Sequence, residues 1–109
     1  MDNTIDLDLL KLLLGVVRPD SQSASAFRVG EKVFIRTVTH HLTGRIVAIN
    51  GPFLTLEDAA WIADDGRFSD AINKGELSEV EPVDVPVRVN TESFIDVFEW
   101  KHDLPRVRK

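Results

Sequence analysis

Segment 33–62 carries the strongest pattern in the chain, because its apolar side chains recur at the two-residue spacing of extended strands. Val33, Ile35 and Thr37 share one side of a first strand, and Phe34, Arg36 and Val38 the other. A second strand contains Gly44, which lets a sheet bend sharply where a side chain would block it. Asn50-Gly51 predicts a hairpin turn, since both residues tolerate positive φ, and Pro52 opens a third strand where no ladder donor is needed. In that third strand Leu54 and Leu56 point inward while Phe53, Thr55 and Glu57 point outward. The expected architecture is therefore mainly β, a small and strongly bent antiparallel barrel.

The alternation breaks at residues 58–66, DAAWIADDG, which fit neither strand nor helix cleanly. Phe68, Ala71 and Ile72 have helical spacing and Gly75 suits a C-cap, predicting a short inserted helix over 67–74. Leu77–Glu81 and Val85–Asn90 read as short strands separated by prolines. Phe94–Trp100 reads as a last one, with Phe94, Asp96, Phe98 and Trp100 alternating against Ile95, Val97 and Glu99. Ahead of the barrel, residues 1–17 hold an expected N-terminal α-helix, with Thr4 or Asp6 as cap and Gly15 as stop. Ile5, Leu7, Leu9, Leu10, Leu12, Leu13 and Leu14 would cover most of that helix's circumference, which demands burial on more than one side. It either closes the open end of the barrel or packs against a second subunit, with Ile5, Leu9, Leu10, Leu12 and Leu13 as the contact. The divisions expected are helix 1–17, polar linker 18–28, barrel 29–105 and basic tail 106–109.

Composition narrows the class. The 109 residues suit one domain, and 43% hydrophobic with 28% charged residues is ordinary for a globular protein. A net charge of −5 speaks against a general polyanion binder, so nucleic acid is not an expected partner. With no cysteine, disulfides, thiolate nucleophiles and Cys-based zinc sites are excluded. Asp2, Asp6 and Asp8 ahead of the apolar run do not suit a secretory signal, and Leu9–Val17 is too short to span a bilayer. No membrane association is expected.

Two resemblances sit on particular residues. Thr43-Gly44-Arg45-Ile46 followed by Leu54-Thr55-Leu56-Glu57-Asp58-Ala59 resembles the first motif of Sm-like barrels, relatives in shape of SH3-like ones. Sm proteins place an Asn just before the third-strand leucines to grip a base, and this chain has Phe53 there. The segments DAAWIADDGRFSDAI, GELSEVEP and WKHDLPR resemble a family of small uncharacterised bacteriophage and prophage proteins. That resemblance implies a phage accessory or assembly protein in the cytoplasm of a bacterial host, or associated with the virion.

The candidate chemistry lies in Asp58–Asp70, where a Trp, an Arg, a Phe and several carboxylates crowd together. One reading is a ligand pocket in which Trp61 or Phe68 stacks on a planar group and Arg67 forks onto a phosphate or carboxylate, with Asp64 and Asp65 beside them. The other is structural: Trp61 and Ile62 complete the core, Asp64-Asp65-Gly66 makes a turn and Asp70 helps a helix begin. The acids lack the alternating ligands and closing Glu of a calcium loop, so neither a metal nor a cofactor is expected. His40 and His41 fall at a turn and point to opposite sides, leaving His102 as the remaining histidine. No nucleophile-elbow, zincin, P-loop or dinucleotide fingerprint is present, and catalysis is not expected. The acidic run Glu76, Glu79, Glu81 and Asp84 faces a basic end, Arg106, Arg108 and Lys109. This is either a solvated face with a frayed tail or a head-to-tail contact between subunits.

The expected function is a non-enzymatic homo-oligomeric binding or structural module, its partners being itself and other phage or host proteins. Two alternatives accompany it: sequestration of a small host ligand such as a nucleotide signal at Trp61 and Arg67, and a nucleic-acid-binding barrel using Arg36, Arg45 and the basic tail.

Overall fold

The computed structural model describes residues 26–109. The expected helix at 1–17, with Ile5, Leu9, Leu10, Leu12 and Leu13, lies outside the described residues, as does the linker up to residue 25. The elements are β1 (Lys32–Thr37), β2 (His41–Asn50), β3 (Phe53–Asp64), α1 (Phe68–Lys74), β4 (Glu79–Pro82), β5 (Val87–Asn90) and β6 (Phe94–Glu99). A short 3-10 turn (Thr91–Ser93) joins β5 to β6. All pairings are antiparallel, in the order β4-β3-β2-β1-β6, with β5 also paired to β3. The fold is thus the mainly β, bent sheet with one short helix that the pattern predicts.

The chief departure concerns residues 58–66. They are not a break: β3 runs on to Asp64. Asp58 takes a left-handed backbone conformation, φ 51°, and the β2–β3 register shifts beside it. One extra residue in a strand reverses the side-chain parity beyond it. Leu54 and Leu56 enter one core, but after the bulge it is Ala59 that enters it, while Ala60 and Ile62 enter another. A strict two-residue alternation therefore fails at this point. The bulge also divides β3 between partners: Phe53–Leu56 pairs with β5, and Ala60–Asp64 with β4.

The central strands are buried on both faces. Val33, Ile35, Leu42, Ile46, Leu54, Leu56, Ala59 and Val89 form the first core, with Phe94 and Val97 of β6 packed against it. Because β5 and β6 sit at opposite ends of the strand order yet share this core, the sheet must roll over onto itself. Phe34, Ala60, Ile62 and Val80 form the second core, closed by Ala71 of α1, Leu77 and Trp100. Trp100 stacks on Phe34, ring centres 5.7 Å apart, and its indole N–H donates to the Asp103 carbonyl at 3.0 Å. His102 packs edge-on against Trp100 and hydrogen-bonds the Ile72 carbonyl through Nε2 at 2.9 Å, tying the segment after β6 to α1. The helix ends where expected, at Gly75 in the left-handed conformation (φ 74°).

Two further details refine the expectations. Asn50 pairs with Phe53, so the turn residues are Gly51 and Pro52, one step later than Asn50-Gly51. The basic end is not frayed: Lys109 exchanges backbone hydrogen bonds with Val80 on the outer edge of β4.

Neighbouring residues on β2 should respond in opposite directions to added carbon. A Cβ on Gly44 would sit 3.0 Å from the Leu56 Cβ, so Gly44→Ala overpacks the first core and should cost about 1–3 kcal/mol. Thr43 is fully buried and its hydroxyl has no hydrogen-bond partner among the described residues, so Thr43→Val should stabilise by about 1 kcal/mol. Urea unfolding of the two variants against the parent checks both signs.

Candidate functional site

Since the Asp58 bulge reverses parity, Trp61 is turned away from the second core that Ala60 and Ile62 fill. It lies opposite Leu42 on one neighbour and Glu81 on the other, and 47% of it is exposed. The core tryptophan is Trp100, only 2% exposed. Of the two readings for Trp61, core packing is the one the structure overturns.

Two hollows border Trp61. One, of about 450 Å³, is largely apolar and is formed with Thr39, His40, Leu42, Val83 and Val87. The other, of about 300 Å³, is more polar and brings in Val38, His41, Asp64, Asp65 and Gly66. The first exists because β5 covers only the early half of β3, leaving the rim of the first core open at Trp61. In the second, Asp64 accepts the Gly66 N–H at 2.8 Å, the turn expected of Asp64-Asp65-Gly66. His41 Nδ1 lies 2.9 Å from both Asp65 carboxylate oxygens, and both side chains are partly buried. Sequence spacing does not link these residues; the β2–β3 ladder does, by placing His41 opposite Ile62.

Of the residues singled out in sequence, Trp61, Asp64 and Asp65 are brought together, whereas Arg67 and Phe68 are not. Arg67 is the exposed N-cap residue of α1, its carbonyl accepting the Asp70 and Ala71 N–H groups. Phe68 packs edge-on against Phe98, ring centres 5.3 Å apart, and the Arg36 guanidinium lies 4.6 Å above its centroid. Arg36 also forks onto Asp96: its Nε donates to Oδ1 at 2.7 Å and its Nη2 to Oδ2. The hydrogen bonds from Arg36 hold the Asp96 carboxyl below the usual carboxylate range, and Asp96 in turn raises Arg36. The ion pair thus pins β1 to β6 beneath α1.

Arg45 is similarly engaged. It donates to Asp58 at 2.6 Å and lies 3.6 Å from Glu57, so the cation on β2 braces the bulge on β3. Its hydrogen bond lowers the Asp58 carboxyl as well. Arg36 and Arg45, which a nucleic-acid-binding barrel would need, are therefore already set against carboxylates. Among the described residues no group of three or more His, Asp or Glu side chains is placed to hold a metal ion.

No family model matches the chain, and no curated protein matches it. Solved structures similar to the chain include two Sm proteins. A heptameric archaeal Sm protein is 17% identical with a TM-score of 0.48, the match covering 72% of this chain and 96% of that one. The SmAP1 heptamer of P. aerophilum is 16% identical with a TM-score of 0.49, covering 76% and 93%.

The Arg36–Asp96 pair carries a pH dependence whose sign is fixed. Because the folded carboxyl titrates below its unfolded value, about 3.9, the stabilisation is complete above that pH and fades as the pH falls through the lower folded value. For a partly exposed but forked pair this amounts to roughly 1 kcal/mol. Asp96→Asn should lower stability at neutral pH, and its stability curve should converge on the parent's in acid. Denaturant unfolding from pH 7 to pH 2 reads the convergence; parallel curves would mean that the pair contributes nothing.

Proposed function

We propose that this chain is a non-enzymatic, homo-oligomeric binding module that associates through the open edges of its sheet. The observation that carries the reading is β6. It ends the strand order with β1 on one side and no strand on the other among the described residues. An unpaired strand displays alternate N–H and C=O groups, and proteins that remain monomeric blunt such edges with Lys, Pro or a bulge. The β6 sequence FIDVFE holds neither Lys nor Pro. Its bulge lies at Ile95, which the β1 register skips, leaving Asp96–Glu99 regular and the Ile95 side chain 60% exposed. Its Asp96 is already taken up by Arg36. The non-enzymatic part of the reading is supported by the sequence, which holds no nucleophile-elbow, zincin, P-loop or dinucleotide fingerprint.

A second reading is favoured by Trp61 itself: a planar ligand laid on the exposed indole between the two hollows. It is compatible with the first, since a small ligand sequestered by an oligomer needs both. The finer reading is of a phage accessory or anti-defence protein working in the cytoplasm of a bacterial host. It rests on the resemblance of DAAWIADDGRFSDAI, GELSEVEP and WKHDLPR alone.

Native mass spectrometry of the protein as purified from cells should show a discrete oligomer, and Ile95→Asp should shift it to monomer without loss of folding. A parent protein that stays monomeric up to high micromolar concentration would overturn the proposal. If the oligomer carries extra mass of a small molecule, Trp61→Ala should remove that mass while leaving the subunit number unchanged. Retained mass would exclude the Trp61 surface as the ligand site.

A further inference from the structure

By sequence, Arg67 is the cation that would meet an anionic ligand at Trp61, but the fold takes it away. Arg67 is the exposed N-cap residue of α1, and neither hollow bordering Trp61 is lined by a Lys or an Arg. The charged side chains brought there are acids. Asp64 and Asp65 line the polar hollow together with the indole. Glu81 is the direct β4 partner of Trp61 in the antiparallel register, which sets the two side chains on one face as nearest neighbours.

These carboxylates keep acceptor capacity. Asp64 accepts the Gly66 N–H through Oδ1, Asp65 meets the Nδ1 of His41, and an ionised carboxylate offers about four lone-pair sites. Glu81 is approached by Arg108 at 3.7 Å, but that side chain is 82% exposed and such a surface pair holds its partner weakly. Arg106, on the same flank, is engaged by the Ala59 carbonyl and Asp84. His40 shares a hydrogen bond with the Thr39 hydroxyl at 2.8 Å. Acids therefore outnumber free cations around the indole, in keeping with the net charge of −5.

The indole itself favours the same sign. Its π-face is negative, and Trp is the best of the aromatic side chains for a cation. Trp61 is 47% exposed, and the apolar hollow of about 450 Å³ beside it, walled by Leu42, Val83 and Val87, has the size of a small-molecule site. The walls select a flat apolar body, and the acids select a positive charge on it. A phosphorylated ligand would meet the reverse, carboxylates nearby and no ammonium or guanidinium lining the hollow to neutralise it.

We infer that the Trp61 surface binds a small planar organic cation, its ring against the indole and its charge toward Asp64, Asp65 and Glu81. The inference rests on the planar-ligand reading above and assigns that ligand its charge, opposite to that of a nucleotide signal. Probes of one shape separate the charges: 1-methylquinolinium, neutral quinoline and the quinoline-6-carboxylate anion, each titrated at millimolar concentration into the full-length protein. The readout is the Trp61 indole N–H signal in nitrogen–proton spectra, identified by its loss in Trp61→Phe, with the Trp100 signal as the control for folding.

The cation should shift the Trp61 signal saturably, bind roughly tenfold more tightly than the anion and several-fold more tightly than quinoline, and weaken with added salt. Asp64→Asn and Glu81→Gln should each weaken it about threefold. Glu92→Gln, the same charge change in the 3-10 turn beyond the far end of β5, should leave it unchanged. Anion or quinoline binding as tight as the cation's would overturn the inference, as would an equal loss in Glu92→Gln, which would mark a general attraction to an acidic protein. In those cases the planar-ligand reading still stands and only the assigned charge fails. If none of the probes moves the Trp61 signal, the inference and the reading beneath it fall together.

Discussion

The structure turns on one backbone residue, Asp58. Its left-handed conformation places an extra residue in β3, and the side-chain parity is reversed from Ala59 to Ile62, where the β4 register shifts again. An ordinary residue there costs conformational energy, and Arg45 offsets part of it by gripping the Asp58 carboxylate. The same bulge lets a single strand serve two partners, β5 before it and β4 after it. It also lets β3 contribute to both cores, Leu54, Leu56 and Ala59 to the first and Ala60 and Ile62 to the second. Gly44 is the complement on β2, where the neighbouring strand approaches too closely for a Cβ.

Burial on both faces decides what is left for binding. Among the described residues, with one face closed by the rolled sheet and the other by α1, Leu77 and Trp100, the strand edges and the rim where Trp61 emerges remain open for contact. The two edges differ in kind. That of β6 is bare along its outer side among the described residues, while that of β4 is met by Lys109, with Arg108 beside Glu81. An asymmetric pair of edges suits heterologous contacts, in which unlike surfaces meet and a closed ring or a filament results.

Much of this was legible in the chain before folding, because strands reveal themselves by period. Val33, Ile35, Leu54 and Leu56 fall on the face their spacing indicates, and Gly75 ends the helix as a C-cap should. The stretch 58–66 was not legible, since a bulge breaks the period by which a strand is recognised. Trp61 and Trp100 could not be told apart for the same reason: which of them is buried depends on parity beyond Asp58 and on the return of the segment after β6. Arg67 looked apt for a ligand by proximity to Trp61 in sequence, but the turn at Asp64–Gly66 carries it away to cap α1. His41 and Asp65 meet across a ladder that no local pattern announces. The docking of residues 106–109 depends on an acidic edge lying far earlier in the fold, so a short basic run reads only as charge.

The most direct test of the parity switch is solvent exchange at the two indole N–H groups of the intact protein, followed by nitrogen–proton spectroscopy at low concentration, with Trp61→Phe to assign them. The Trp100 side chain is buried in the second core and its indole N–H donates to the Asp103 carbonyl, so its signal should be protected. The signal that Trp61→Phe removes should be the one exchanging rapidly with water. Protection of both, or rapid exchange of the signal that survives the substitution, would contradict the account.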